Sequence, residues 1–169
     1  MKQLAIILTL ALFGIGGCAQ EPVSRPSDFK VVLSWHTGAV PENYWYSYRL
    51  IIGPSATGKL HYRSGNGQVE WSDEFAFSDE DLDKLYTQVR EQGMLRSNWK
   101  QGDQIDGGPA TSIQITSNGK FHSIGERSEL IEAERELVDA LIDRVESLVP
   151  DDLWETMYQL QAEQEMNAD

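Results

Sequence analysis

Cysteine occurs once in the 169 residues, as Cys18, so no disulfide can form within the chain. Basic residues are also scarce, 14 against 27 acidic ones, for a formal net charge of −13. Nucleic acid needs a basic face to meet its phosphates, and this balance leaves little to build one. A basic protein, a polycation or a divalent metal suits the charge better as a partner. A solvated acidic surface is the plainer account. Histidine occurs three times, as His36, His61 and His122. No two of these stand four apart on a helix, and H-E-x-x-H is absent, so no metal site is expected. The G-x-S-x-G turn of a hydrolase nucleophile is absent too. Carboxylates for glycoside hydrolysis are plentiful, but abundance without spacing carries no specificity. The expectation is a protein that is not an enzyme and needs no cofactor, with an uncharacterised hydrolase as the weakest alternative.

What the chain has is enough apolar residue, 40% with 9% aromatic, for an ordinary core in one domain. It opens with Lys2, an apolar run from Leu4 to Phe13, then small residues up to Cys18. That is the layout of a secretory signal, and it is shorter than the ~20 residues of a membrane-spanning helix. The run Ile15-Gly16-Gly17-Cys18 resembles the signal box of bacterial lipoproteins. The resemblance covers only the first twenty residues. It implies cleavage of residues 1–17, acylation of Cys18, and anchoring firm enough to last because more than one fatty chain is attached. Ala19 after the cysteine implies the outer membrane, facing the periplasm. Without Lys2 the mature charge becomes 13 − 27 = −14. Residues 18–28, with two prolines and no periodicity, read as a flexible tether reaching about 30 Å.

Residues 29–150 read as a single α+β domain. Phe29, Val31, Leu33 and Trp35 alternate, as in a half-buried strand. Tyr44–Gly53 is an aromatic and β-branched second strand, GKLHYR a short third, and QVEWSDEFAF a fourth whose polar Ser72–Glu74 invites a bulge. Ser78 and Asp81 open a helix with Leu82, Leu85, Tyr86 and Val89 on one face and Gly93 at its end. Residues 96–110 form a long irregular loop, a kind often functional. TSIQIT and KFHSI flank Asn118-Gly119. A two-residue turn pairs Ile115 with His122, and a one-residue slip pairs it with Phe121; local pattern leaves both open. An apolar stripe predicts a second helix over 128–149, stopped by Pro150. Residues 151–169 read as a short third helix and an acidic, frayed tail. The order is ββββ-α-ββ-α: an antiparallel sheet of about six strands with helices packed on one face.

Gly53 to Lys59, GPSATGK, matches the G-x-x-x-x-G-K phosphate loop. Such a loop needs a helix starting at the lysine and a Ser or Thr after it for magnesium. Here Leu60 follows, and the next residues alternate as a strand. The match is read as coincidence, with no nucleotide bound. Asp103 and Asp106 in GDQIDGG faintly suggest a calcium loop, but the alternating acids and terminal Glu are missing, and a glycine-rich turn is the simpler reading.

The aromatics carry the binding hypothesis. Tyr44, Tyr46 and Tyr48 share one face of the second strand, with Trp45 on the other, and Trp99 sits in the long loop. A sheet covered on one side shows its other side to water or to a partner, and Tyr and Trp there suit sugar rings or an interface. The expected candidate surface is Tyr44, Tyr46, Tyr48, Trp99, Asp103 and Asp106. Its expected partner is another envelope protein, with cell-wall glycan or a small ligand as the alternative. Core filling explains the same residues.

Overall fold

The computed structural model describes residues 24–65, 67–103 and 108–166. The signal segment, Cys18, the start of the tether, Asn66, Asp106 and the last three residues lie outside the described residues. Six strands and three helices follow in the order β1 (Lys30–His36), β2 (Tyr46–Ile52), β3 (Thr57–Ser64), β4 (Glu70–Ala76), α1 (Asp79–Glu91), β5 (Ala110–Ser117), β6 (Lys120–Ile124), α2 (Glu132–Glu146) and α3 (Asp151–Met166). The fold is α+β, with one antiparallel sheet in the order β4-β3-β2-β1-β5-β6.

Directly opposed residues of an antiparallel pair share a face, so the register draws rows across the sheet. One row is Ile124–Ile113–Leu33–Leu50–Leu60, aliphatic across five strands and ending on Asp73 of β4. The next is Thr111–Trp35–Tyr48–Tyr62–Trp71, four aromatics in line. Both rows face the helices. The aliphatic side chains are fully buried, and with Val31, Ile52, Ile115 and Phe29 they form the core. Helix α1 closes this part with Leu82, Leu85, Tyr86 and Val89, and Tyr86 meets the Phe29 ring edge-on at 5.0 Å. Ser78 caps it, its hydroxyl accepting from the Asp81 N–H at 3.0 Å. Two polar links tie α1 to α2: Gln88 donates to the Ala140 carbonyl at 3.0 Å, and Arg144 pairs with Asp81 at 3.1 Å.

Helix α2 begins four residues later than its apolar stripe suggests. Residues Arg127–Glu129 form a 3₁₀ turn, and Leu130 and Ile131 are extended. Leu130 still reaches the core because Gln101 bridges to it, and the Gly102 and Ile131 N–H groups bond across the same gap. No bulge interrupts β4; its pairing with β3 is continuous from Thr57↔Ala76 to Arg63↔Glu70. The polar Ser72–Glu74 run belongs instead to an edge strand with little covering it, where charge discourages pairing with another chain. At the β5–β6 hairpin the two-residue turn wins, with Ile115 opposite His122. Asn118 and Gly119 both take positive φ, 53° and 70°, and the Asp28 carboxylate accepts from both of their N–H groups. Those bonds hold the Asp28 carboxyl below its usual value, the Gly119 bond most.

The end of the expected tether is fastened to the domain. Arg25 pairs with Asp83 at 2.7 Å and Asp79 at 3.1 Å on α1, and donates to the Pro54 carbonyl at 2.9 Å.

The GPSATGK segment is the β2–β3 hairpin. The Gly53 N–H donates to the Thr57 carbonyl at 2.7 Å, and Lys59 lies within β3 rather than at a helix start. Gly58 pairs with Phe75, whose ring fills the space that a Cβ on residue 58 would need. Packing thus explains the second glycine of the motif.

Candidate functional site

The aliphatic row is fully buried, whereas the aromatic row meets side chains of both α2 and α3, Glu146 and Trp154 each touching Tyr48. Trp35 and Tyr48 stack at 5.1 Å with 12° between planes, and Tyr46 leans on Trp35 at 5.0 Å and 40°. From above, Trp154 of α3 meets Tyr48 edge-on at 5.3 Å, and Tyr158 stacks on Trp154 at 6.2 Å. Between these rings lies a cleft of about 320 Å³. Trp35, Tyr46 and Tyr48 form its floor and Ile142, Glu146 and Tyr158 its helical wall, with Arg127 and Asp139 among its polar groups. A depression of about 360 Å³ also runs along α1 from Glu80 to Gln92, but a single helix lines it and no groups converge there. A site with opposed walls is the stronger candidate.

Polar contacts fix the cleft. The Tyr48 hydroxyl donates to Glu146 Oε1 at 2.5 Å. Burial raises the Tyr48 phenol above its ordinary value, and the neighbouring Glu146 raises it further. Glu146 is also raised: burial outweighs the Tyr48 bond, which works the other way, and Asp143 adds to the rise. The Tyr48 shift keeps the phenol neutral and able to donate, whereas the Glu146 shift works against its ionised form. Tyr46 is raised by burial first, then by Tyr158 and Glu165. Asp139 grips Arg127 through both oxygens, at Nε and at Nη2 (2.6 Å), and this bond raises the guanidinium value. Deeper in, the Tyr62 hydroxyl donates to Gln164 at 3.1 Å, and the Gln164 amide donates to the Asn43 carbonyl at 2.9 Å. Burial pushes the Tyr62 phenol up to about 12. These bonds fasten α3 over the aromatic row.

The six candidate residues do not make one surface. Tyr46 and Tyr48 enter the cleft on the helix-covered side, with Tyr48 only 9% exposed, so the aromatic strand does not decorate the open face. Tyr44 stands outside the strand in a 3₁₀ turn (Glu42–Tyr44) and is 44% exposed. Trp99 is half-buried beneath the Arg96 guanidinium, 4.1 Å from the ring, with Arg96 paired to Glu134. Asp103 is exposed in the loop, and Asp106 lies outside the described residues. His36 and His61 are on the open face and His122 on the edge strand β6. Among the described residues, no three His, Cys, Asp or Glu side chains gather as metal ligands would.

Sequence reasoning passed over Arg127, Asp139 and Glu146. Glu146 follows Val145 at the end of the α2 stripe and reads as solvated. Only the pairing of β1 with β2, which aligns Trp35 with Tyr48, shows where an acid on the overlying helix would land.

The open face is polar apart from Val32 and Ile51 at its centre. Lys30, Ser34, Arg49, Lys59, His61, Arg63, Gln114 and Thr116 point away from the helices. Glu74 lies 4.0 Å from Lys59 and Glu70 3.2 Å from His61, whereas Arg49 and Arg63 form no ion pair among the described residues.

No family model matches the chain, and comparison with curated proteins returns no significant match. No helix among the described residues is long and apolar enough to cross a membrane.

Proposed function

We propose that the chain is a non-catalytic binding module of a bacterial envelope, held at the outer membrane through an acylated Cys18, with the aromatic cleft as its ligand site. The observation that carries this reading is the convergence of Trp35, Tyr46, Tyr48 and Tyr158 with Glu146 around one opening. A concave opening lined by rings, with fixed polar groups converging on it, is the default form of a ligand site. Envelope placement rests on the lipoprotein-like box alone.

The test is crosslinking in cells, with a photo-reactive residue in place of Tyr158 or, separately, of Ser34 on the open face. Capture of a glycan fragment or small molecule at 158 alone supports the cleft. A single protein captured at 34, with nothing at 158, overturns it. That outcome would favour a second reading, docking of an envelope protein on the open face, which Arg49 and Arg63, without an ion pair among the described residues, support. Radiolabelled fatty acid should enter the wild-type chain and not Cys18→Ala.

A further inference from the structure

Resting on the cleft as the ligand site, we infer that its ligand is an organic cation, an alkylammonium or quaternary ammonium group seated among Trp35, Tyr46 and Tyr158 with Glu146 as counter-ion.

Ring geometry argues first. A sugar prefers a flat, unoccupied aromatic face, but Trp35 spends one face on Tyr48, and Tyr46 is tilted 40° to it. The rings form a corner rather than a platform. A corner of rings suits a compact rounded cation, which each negative π-face attracts.

Charge argues second. The cleft holds one guanidinium and two carboxylates, and Arg127 is taken by both oxygens of Asp139. Glu146 is left as the carboxyl with no basic partner among the described residues, and a bound cation would favour its ionised form. Its one hydrogen bond among the described residues is the Tyr48 hydroxyl on Oε1, so Oε2 has none. A partly desolvated carboxylate beside aromatic rings gains more from a cation than a surface one does, because the screening there is weaker. The net charge of −13 would also raise the local concentration of cations. A bare metal ion fits less well, since the cleft offers too few converging oxygens for a hard cation.

The experiment titrates the full chain in detergent with choline, at matched chloride, against choline's uncharged isostere with carbon in place of nitrogen. N-acetylglucosamine serves as a neutral sugar probe. The Trp35 indole N–H resonance reports binding. Choline is expected to bind at least tenfold more tightly than the isostere. Glu146→Gln should lose at least tenfold for choline and leave the isostere unchanged. Equal binding of choline and isostere, or binding of the sugar without choline, overturns the cation inference and leaves the cleft reading standing. No response to any probe overturns both. The choline–isostere comparison needs only the wild-type chain, so a poorly folding variant does not blunt the test.

Discussion

Tyr48 and Arg49 are neighbours on β2 and opposites in environment. Tyr48 points under the helices, packs on Trp35 and Trp154, and donates to Glu146. Arg49 points to the open side, is exposed, and forms no ion pair among the described residues. The contrast extends along the whole sheet: one face aliphatic and then aromatic, the other polar with basic residues spread through it. Despite an acidic excess of 13, Lys30, Arg49, Lys59 and Arg63 stand together on this face, with Glu70 and Glu74 beside them on the β4 edge. Period-two alternation makes this division possible, because a strand can serve two environments without changing its backbone.

The largest expected break in that comparison is Leu50→Ala set beside Arg49→Ala. Leu50 is fully buried, and its truncation should cost about 2–5 kcal/mol through lost burial and a cavity. Arg49→Ala should stay within about 0.5 kcal/mol, as surface changes do. Urea midpoints measure both, and equal losses would show that the open face is covered. Gly58→Ala comes next, at about 1–3 kcal/mol, because the new Cβ meets the Phe75 ring. Shortening that ring with Phe75→Leu should recover part of the loss if packing is the cause. Tyr62→Phe removes the bond to Gln164 and should cost about 1 kcal/mol. Hydrogen exchange in α3 should rise more than in α1, and a uniform rise would mean α3 is not pinned there.

Smallest and most specific is a change in pH profile. Glu146 titrates above its ordinary 4.5 in the folded chain. Over the window between those values the native state keeps a proton that the unfolded chain releases. Its contribution to stability is therefore present at low pH and is lost as pH rises through the folded value. Burial, Tyr48 and Asp143 set this shift, and the paired Arg127 and Asp139 line the same cleft. Glu146→Gln should flatten that stretch of the stability curve and be no less stable than wild type at neutral pH. Asp28 has the opposite sign: its lowered value gives stability at neutral pH that is lost in acid. A Glu146→Gln profile parallel to wild type throughout would remove Glu146 from this account.

Sheet and helices were legible because their signals are local. Alternation in β1, the Leu82–Val89 stripe with its Ser78 cap, and the Asn-Gly turn each lie within a dozen residues of chain. The hairpin register was not local, since Asp28 helps choose it from 90 residues away. Nor was the start of α2, where Leu130 keeps the apolar period although a bridge to Gln101 holds it extended. Local composition ends the tether at residue 28, yet Arg25 and Asp28 are already fastened, because bonds to distant residues leave no mark in local composition. The candidate site was half visible. Spacing alone singles out Tyr46 and Tyr48, but which side the helices cover, and which acid meets them, depends on tertiary packing.

The central place of β1 has a mechanical consequence. It is bonded to β2 on one side and β5 on the other, and the segment before it is clamped by Arg25 and Asp28. Under the proposed anchoring, any drag on the domain would be transmitted through this entry point. The load would then run along β1 and stretch two ladders at once, instead of peeling one edge strand away bond by bond. Pulling between residue 24 and the α3 end in a force spectrometer should require higher forces than pulling across the β5–β6 hairpin. Arg25→Ala should lower the force at which the first extension appears. The fold would then hold against tension along its own leash while yielding readily at its far edge.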